Sequence, residues 1–432
     1  MNTTPPQATE ILALSAAEIA AKVRAGELSA QDTVAASFAR IAELDSRVHA
    51  FRHLWREDAR ARARAIDSSA TRSQLPLAGV PFALKENTSR THPLIRILEA
   101  AGAIAVGTTY NPQFCAWGST TEAGNMVENP VLPGRTPGGS SGGAAAAVAA
   151  GMVTFAQGSD GMGSLRIPAA CCRLTTLKTT TGTLPGGVSG TDWFGMTVLG
   201  VITRTTAELS LILEVLTQSQ LGSRDAAEYT GQTGTKTLTP QRVMVDLGAP
   251  IPGVRPSAAY AAAARTAAGR IAATAATPTE TSVPYPRNPL PVFARWTAGV
   301  AEQCDLDAPA QVEWRNRVHV RIGRLLRRTI SPQQVRRHRA EMAKKFPLDS
   351  VLITPALAQD PPRNQQWHRQ SWLANIISNV RYTPYASAFN YLDYPAGVVI
   401  EPTTGLPVQV IAREGRDDLV LAAMAAIEAP GV

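Results

Sequence analysis

Apolar residues at helical spacing mark the first seventy positions. After Ser29 they fall at Val34, Phe38, Ile41 and Leu44, the inward face of one helix. Ser15-Ala-Ala-Glu18 and Ser29-Ala-Gln-Asp32 have the form of capping boxes, in which the serine oxygen accepts from an early backbone N–H and the acid answers back. Gly26 separates the two helices, and the Arg-Ala alternation from Arg56 to Ile66 predicts a third.

From Leu77 the texture changes. Leu77-Ala-Gly-Val-Pro-Phe-Ala-Leu84 is a short apolar run that ends at Lys85, the pattern of a buried strand with a polar residue at its tip. A helix over Pro93–Gly102 and a strand over Ala103–Gly107 follow. Helical patterns are predicted over Ala144–Ala150, Thr205–Leu216, Ser257–Ala275 and Asp417–Glu428. Strands are predicted over Met152–Ala156, Gln241–Asp246, Ser350–Thr354, Ala396–Ile400 and Leu406–Ala412. Strands alternating with helices imply an α/β layered protein around a large, at least partly parallel sheet.

Composition narrows the class. A chain of 432 residues, 44% hydrophobic, has the make-up of an ordinary globular protein. No secretory signal or membrane-length apolar run is read, so a cytoplasmic protein without membrane attachment is expected. Cys115, Cys171, Cys172 and Cys304 show neither metal-ligand spacing nor a disulfide framework; no metal and no cofactor are expected. The net charge of +8 is concentrated between Val312 and Phe346, where eleven Lys or Arg face Glu313 and Glu341. A solvated helical face is the plainer reading of that segment, and no nucleic-acid partner is expected.

Two serine-bearing glycine loops carry the chemistry: Gly138-Gly-Ser-Ser-Gly-Gly143 and Ser159-Asp-Gly-Met-Gly-Ser-Leu-Arg166. A serine nucleophile needs a base and donors aimed at the oxyanion it creates. The six histidines lie outside both loops, which favours lysine; Lys85, at a buried strand end, can lose its proton because burial disfavours the ammonium. The first loop lacks the Gly-Lys-Ser/Thr ending of a phosphate loop, and a helix starts directly after it, so a proton relay suits it better than a phosphate cradle or a linker.

These motifs together resemble the amidase signature family. The resemblance rests on Leu77–Asn87, the Gly-Gly-Ser-Ser-Gly-Gly loop, Asp160–Pro168 and the 24-residue gap between Ser140 and Ser164. It continues through Arg204-Thr205, Leu352–Pro355, and Phe389-Asn390 to Gly405-Leu-Pro407. It implies one amidase-signature domain over residues 1–432, with a large mixed, mostly parallel sheet covered by helices on both faces. Residues 1–70 would be its N-terminal helical segment and 278–380 a helical cap over the substrate channel. It implies Ser164 as nucleophile, Ser140 as a bridging serine held by an unusual cis peptide, and Lys85 as general base. The backbone N–H groups of Gly161, Met162, Gly163 and Ser164 would form the oxyanion hole, supported by Ser141, Asp160 and Arg166. The implied partner is a small-molecule amide; a homodimer stays open.

Three departures set further expectations. Met162 stands where the family usually has glycine and is expected to narrow the acyl pocket, or to strain the loop if the position needs φ > 0. The segment after Lys85 is short, which predicts a more open pocket or a less buried lysine. Arg173 and Thr176 fall in a stretch that normally carries glycines and are expected to strain it, whereas Cys171 and Cys172 are expected to be buried packing. Trp193, Trp314, Trp367 and Tyr382 are candidates for the channel lining. Two other readings compete: a catalytically weakened homologue acting as a scaffold, and the glutaminase subunit of a tRNA-dependent amidotransferase. Trp193–Thr197 and Pro361–Trp367 look closer to general bacterial amidases than to that subunit.

Overall fold

A computed structural model describes residues 8–188, 190–218, 239–251, 253–272, 277–286 and 288–430. The N-terminal helices form as their caps require. Ser15 and Glu18 complete a reciprocal capping box ahead of the helix Ala16–Ala25, which Gly26 ends in a left-handed turn; Ser29 caps Ala30–Val48. A short helix, Ala8–Ala13, precedes these two, and the helix expected over Arg56–Ile66 spans Arg56–Asp67.

The described residues hold thirteen strands, in chain order β1 (Phe51–Leu54), β2 (Pro81–Lys85), β3 (Ile104–Thr109), β4 (Thr121–Glu122), β5 (Asn125–Met126), β6 (Phe155–Asp160), β7 (Thr175–Lys178), β8 (Val198–Thr203), β9 (Arg242–Val245), β10 (Thr279–Glu280), β11 (Ser350–Pro355), β12 (Ala396–Glu401) and β13 (Leu406–Ile411). Strands β4 and β5 pair by themselves, and the other eleven form one sheet in the order β1-β3-β2-β6-β8-β7-β12-β13-β11-β9-β10. The sheet is mixed. Its parallel ladders lie in two blocks, β3-β2-β6 and β11-β9-β10, and the strands between them pair antiparallel.

Every residue of β2, β3, β6, β7, β8 and β11 is buried. Successive strand residues face opposite sides, so burial of both sets requires cover on both faces, and helices supply it. The helix Ala258–Ala272 packs on β9, β11 and β13, and the closing helix Asp417–Glu428 packs on β12. The part of the helix expected over residues 273–275 lies outside the described residues. A second apolar cluster, with Trp117, Trp193, Trp296, Phe346 and Phe389, lies under the helices Leu290–Asp307 and Trp314–Leu326.

Two central strands, β7 and β8, were not anticipated. Strand β6 also runs later than expected, through Gln157, Ser159 and Asp160. An apolar pattern cannot mark that end of β6, because its polar side chains are buried against polar groups of other segments, Lys85 for Gln157 and Ser159 and Arg166 for Asp160.

Candidate active site

Lys85 is the last residue of β2 and has no exposed surface. Its Nζ donates to Ser140 Oγ at 2.6 Å and to Ser159 Oγ at 2.9 Å, while its backbone N–H donates to Gln157 Oε1 at 3.3 Å. Ser159 belongs to β6, the parallel neighbour of β2, so sheet pairing sets this contact. Burial pushes the Lys85 pKa below the ordinary lysine value, by more than the Cys115 thiol beside it and the Asp160 charge restore. The short segment after Lys85 therefore does not leave it exposed, contrary to one of the two expectations for that loop.

Ser140 follows Gly139 through a cis peptide. Gly139 is required: a Cβ there would collide with the backbone oxygen of Trp117. Ser141 opens the helix Gly142–Ala149, and its N–H donates to the Ser164 carbonyl at 3.1 Å, which ties the two serine loops together. Ser164, 7% exposed, faces a cavity of about 820 Å³ that Ser140, Ser159 and Gly161 also line.

The Ser164 loop is held from beneath. Asp160, fully buried, accepts from Arg166 Nε at 2.9 Å and Nη2 at 3.1 Å, and from Asn390 Nδ2 at 2.8 Å. Arg166 also donates to Gln409 Oε1 at 2.6 Å and to Asn390 Oδ1 at 2.6 Å. Burial alone would raise the Asp160 pKa; the Arg166 guanidinium and the Asn390 amide outweigh it and hold the pKa down at about 2. Asp160 Oδ1 further accepts from the Gly163 N–H at 2.6 Å. That donor is thereby spent on the carboxylate, unlike the other three amides expected for the oxyanion hole. Those of Gly161, Met162 and Ser164 have no backbone acceptor among the described residues.

Met162 does not adopt a left-handed conformation; Gly163 does, at φ 106°. The loop places its unusual turn on the glycine, where a Cβ would meet Ala386, and leaves Met162 unstrained. The Met162 side chain packs on the Trp193–Trp296–Phe389 cluster. It also lines a small space of about 90 Å³ shared with Ser164 and Ile167.

Of the four channel candidates, Trp193 and Trp314 line the cavity, whereas Trp367 and Tyr382 are buried elsewhere and do not. Arg173 takes a left-handed φ of 56°, as strain in its stretch requires, but Thr176 sits in β7 and donates to the Val201 carbonyl at 2.6 Å. Cys171 and Cys172 are buried free thiols whose pKa burial pushes up. Much of the basic segment is paired within the chain: Arg315 with Glu313 at 2.9 Å, Arg324 with Asp305 at 2.6 Å, Arg327 with Glu302 at 2.7 Å. No histidine among the described residues hydrogen-bonds Ser140, Ser159 or Ser164; His338 and His319 bond Tyr391 and Trp372 instead.

Sequence reasoning missed Ser159, Gln157 and Gln409. Ser159 had a signal, since it adjoins Asp160 at the mouth of the second loop. Gln409 had none, because it lies 243 residues from Arg166.

The chain belongs to the amidase family: the family model described as Amidase matches residues 32–93 and 92–421. It is 30% identical over 462 aligned residues to the putative amidase AmiB2 of Mycobacterium tuberculosis, covering 97% of this chain and 96% of that protein. Among solved structures, the 6-aminohexanoate cyclic dimer hydrolase superposes with a TM-score of 0.81 at 23% identity, over 96% of both chains. A bacterial aryl acylamidase of the amidase signature family does so at 0.75 and 23%, again over 96% of both. At these identities the two structures show the fold. Family and relatives make this protein an amidase, a hydrolase acting on amide C–N bonds, and do not favour the scaffold reading. No helix among the described residues is long and apolar enough to cross a membrane.

Proposed function

We infer that this amidase cleaves a small carboxamide through an acyl-enzyme on Ser164, with Lys85 as general base acting through Ser140. One observation carries the reading. A fully buried lysine, its pKa lowered, donates its shortest hydrogen bond to a serine that lines the same cavity as a second serine. An amine in that setting is held neutral at lower pH than a solvated lysine, which is the form a base requires.

Neutral Lys85 takes the Ser140 proton while Ser140 takes that of Ser164. Ser164 Oγ attacks the carbonyl carbon, and the oxyanion is met by the amides of Gly161, Met162 and Ser164. The proton returns along the same relay to the leaving nitrogen as the C–N bond breaks. Water, deprotonated by the same route, then attacks the acyl ester and releases the carboxylate, restoring Ser164. Asp160 and Arg166 act on neither proton nor substrate; they fix the loop that presents the donors.

A fluorophosphonate probe tests the assignment. Wild type is expected to be labelled at Ser164 and to release ammonia from carboxamides, and Ser164→Ala to do neither while melting at a similar temperature. Labelling at another residue, or ammonia release that survives in Ser164→Ala, would overturn it.

A further inference from the structure

The outer wall of the cavity has a chemistry that the proton relay does not use. The chain carries a net charge of +8, yet the charged residues lining this cavity are Glu86, Glu122, Asp307 and Glu313 against Arg52 and Arg317. The excess is built in. Arg52 lies between two carboxylates, with Nε 2.5 Å from Glu86 and Nη1 in contact with Glu122, so one cation serves two anions. Glu313 is paired with Arg315 at 2.9 Å. Burial pushes the Glu86 and Glu313 carboxyls up, the arginines pull them back, and Glu122 pushes both up again. Glu122 thus stands within electrostatic reach of both, and half-buried carboxylates this close are costly unless a cation joins them.

Two further observations indicate what that cation carries. The carboxamide oxygen of Asn111 and the hydroxyl of Thr88, in residues 9% and 4% exposed that line this cavity, have no hydrogen-bond partner among the described residues. Asn111 and Thr88 line the same cavity as Glu86, Glu122 and Arg52. An unused buried carbonyl oxygen calls for an N–H donor. Trp314, next to Glu313 and 61% exposed, lines the same cavity and offers an aromatic face at its mouth. Carboxylates, a free acceptor and an indole together recognise an alkylammonium.

The geometry points to an ammonium subsite in the outer cavity, so that the preferred substrates are amides carrying a protonated amine remote from the scissile bond. This rests on the amide-hydrolase reading above. A volume of about 820 Å³ accommodates such an extended molecule, since ligand pockets run from about 300 to 1,000 Å³.

The test compares 5-aminopentanamide with hexanamide, which replaces the ammonium by a methyl group. Wild type is expected to favour the ammonium amide in kcat/KM by roughly tenfold or more, mainly through KM, with the preference shrinking as salt is added. The ratio is expected to fall towards unity in Glu122→Gln and to drop in Trp314→Ala, whose exposed side chain can be removed without threatening the fold. Equal or better use of hexanamide by wild type, or a ratio that neither variant moves, overturns the subsite while leaving amide hydrolysis intact. If neither amide is hydrolysed, what fails is the reading of small carboxamides as substrates, and calorimetric binding of both to Ser164→Ala still decides. Tighter binding of 5-aminopentanamide supports the subsite, and equal binding overturns it.

Discussion

Lys85 and Lys178 are both buried, and both end a buried strand, β2 and β7 respectively. Burial lowers the pKa of each. Their surroundings differ in one respect. Lys178 has the Asp393 carboxylate at 3.7 Å, Asp417 within electrostatic reach, and the Thr179 carbonyl at 2.8 Å. Lys85 donates to two hydroxyls, and its Nζ makes no ion pair among the described residues. A buried amine with a carboxylate beside it is held in its charged form more firmly than one held by hydroxyls, which gives up its proton more readily. Both hydroxyl partners of Lys85 also line the cavity, and no partner of Lys178 among the described residues does.

The largest test of that contrast is Lys85→Met. Loss of the base is expected to lower kcat/KM for amide hydrolysis by about 10³-fold or more, with stability within about 1 kcal/mol of wild type, because an apolar chain of similar length replaces a buried amine held only by hydroxyls. Ammonia release and thermal melting measure the two. In wild type the rate is expected to rise with pH along a limb below 10.5, the ordinary lysine value, because the neutral amine acts and its pKa is lowered. That limb should vanish in Lys85→Met. More than a tenth of the wild-type rate remaining in the variant would break the contrast.

Lys178→Met is expected to behave oppositely. Asp417, nearly fully buried, and Asp393 would lose their shared cation, and Asp393 would keep Arg339 at 3.3 Å. Leaving carboxylates uncompensated should cost about 2 kcal/mol, read by denaturant unfolding, with kcat/KM changed by less than about threefold. A loss of rate without loss of stability would show that Lys178 takes part in the chemistry.

The two lysines also mark how far the sequence could be read. Lys85 was legible because an apolar run delivers it, and the serine loops gave it a role. Lys178 was not: Thr175-Thr-Leu-Lys178 reads as polar, and it is a central strand only because Thr176 finds the Val201 carbonyl and Lys178 finds Asp393 across 215 residues. The layered architecture was readable from alternating apolar runs, but the strand pairing was not, since the neighbours β6 and β8 are joined through a residue order that no local pattern encodes. Met162 teaches the same lesson. The sequence shows a missing glycine, and only the backbone shows that the left-handed turn falls one residue later, on Gly163. Arg173 is the converse, a left-handed non-glycine residue whose conformation costs on the order of 1 kcal/mol.

The smallest expected effect gives the sharpest test, because it makes one lysine resemble the other. Ser159→Asp would put a carboxylate where Ser159 Oγ now accepts from Lys85 Nζ at 2.9 Å. The acid favours the ammonium, so the Lys85 pKa rises and its ascending limb moves to higher pH by about one unit or more. Below that limb the neutral fraction falls tenfold per unit, so kcat/KM near neutral pH should drop by roughly tenfold. Raising the pH should restore most of the loss. Ser159→Ala, which removes a hydrogen bond without adding charge, should lower the rate by a similar factor at every pH and leave the limb in place. A limb that stays put in Ser159→Asp, with the variant folded, would mean that Lys85 is not the titrating base, and the contrast between the two lysines would lose its chemical meaning.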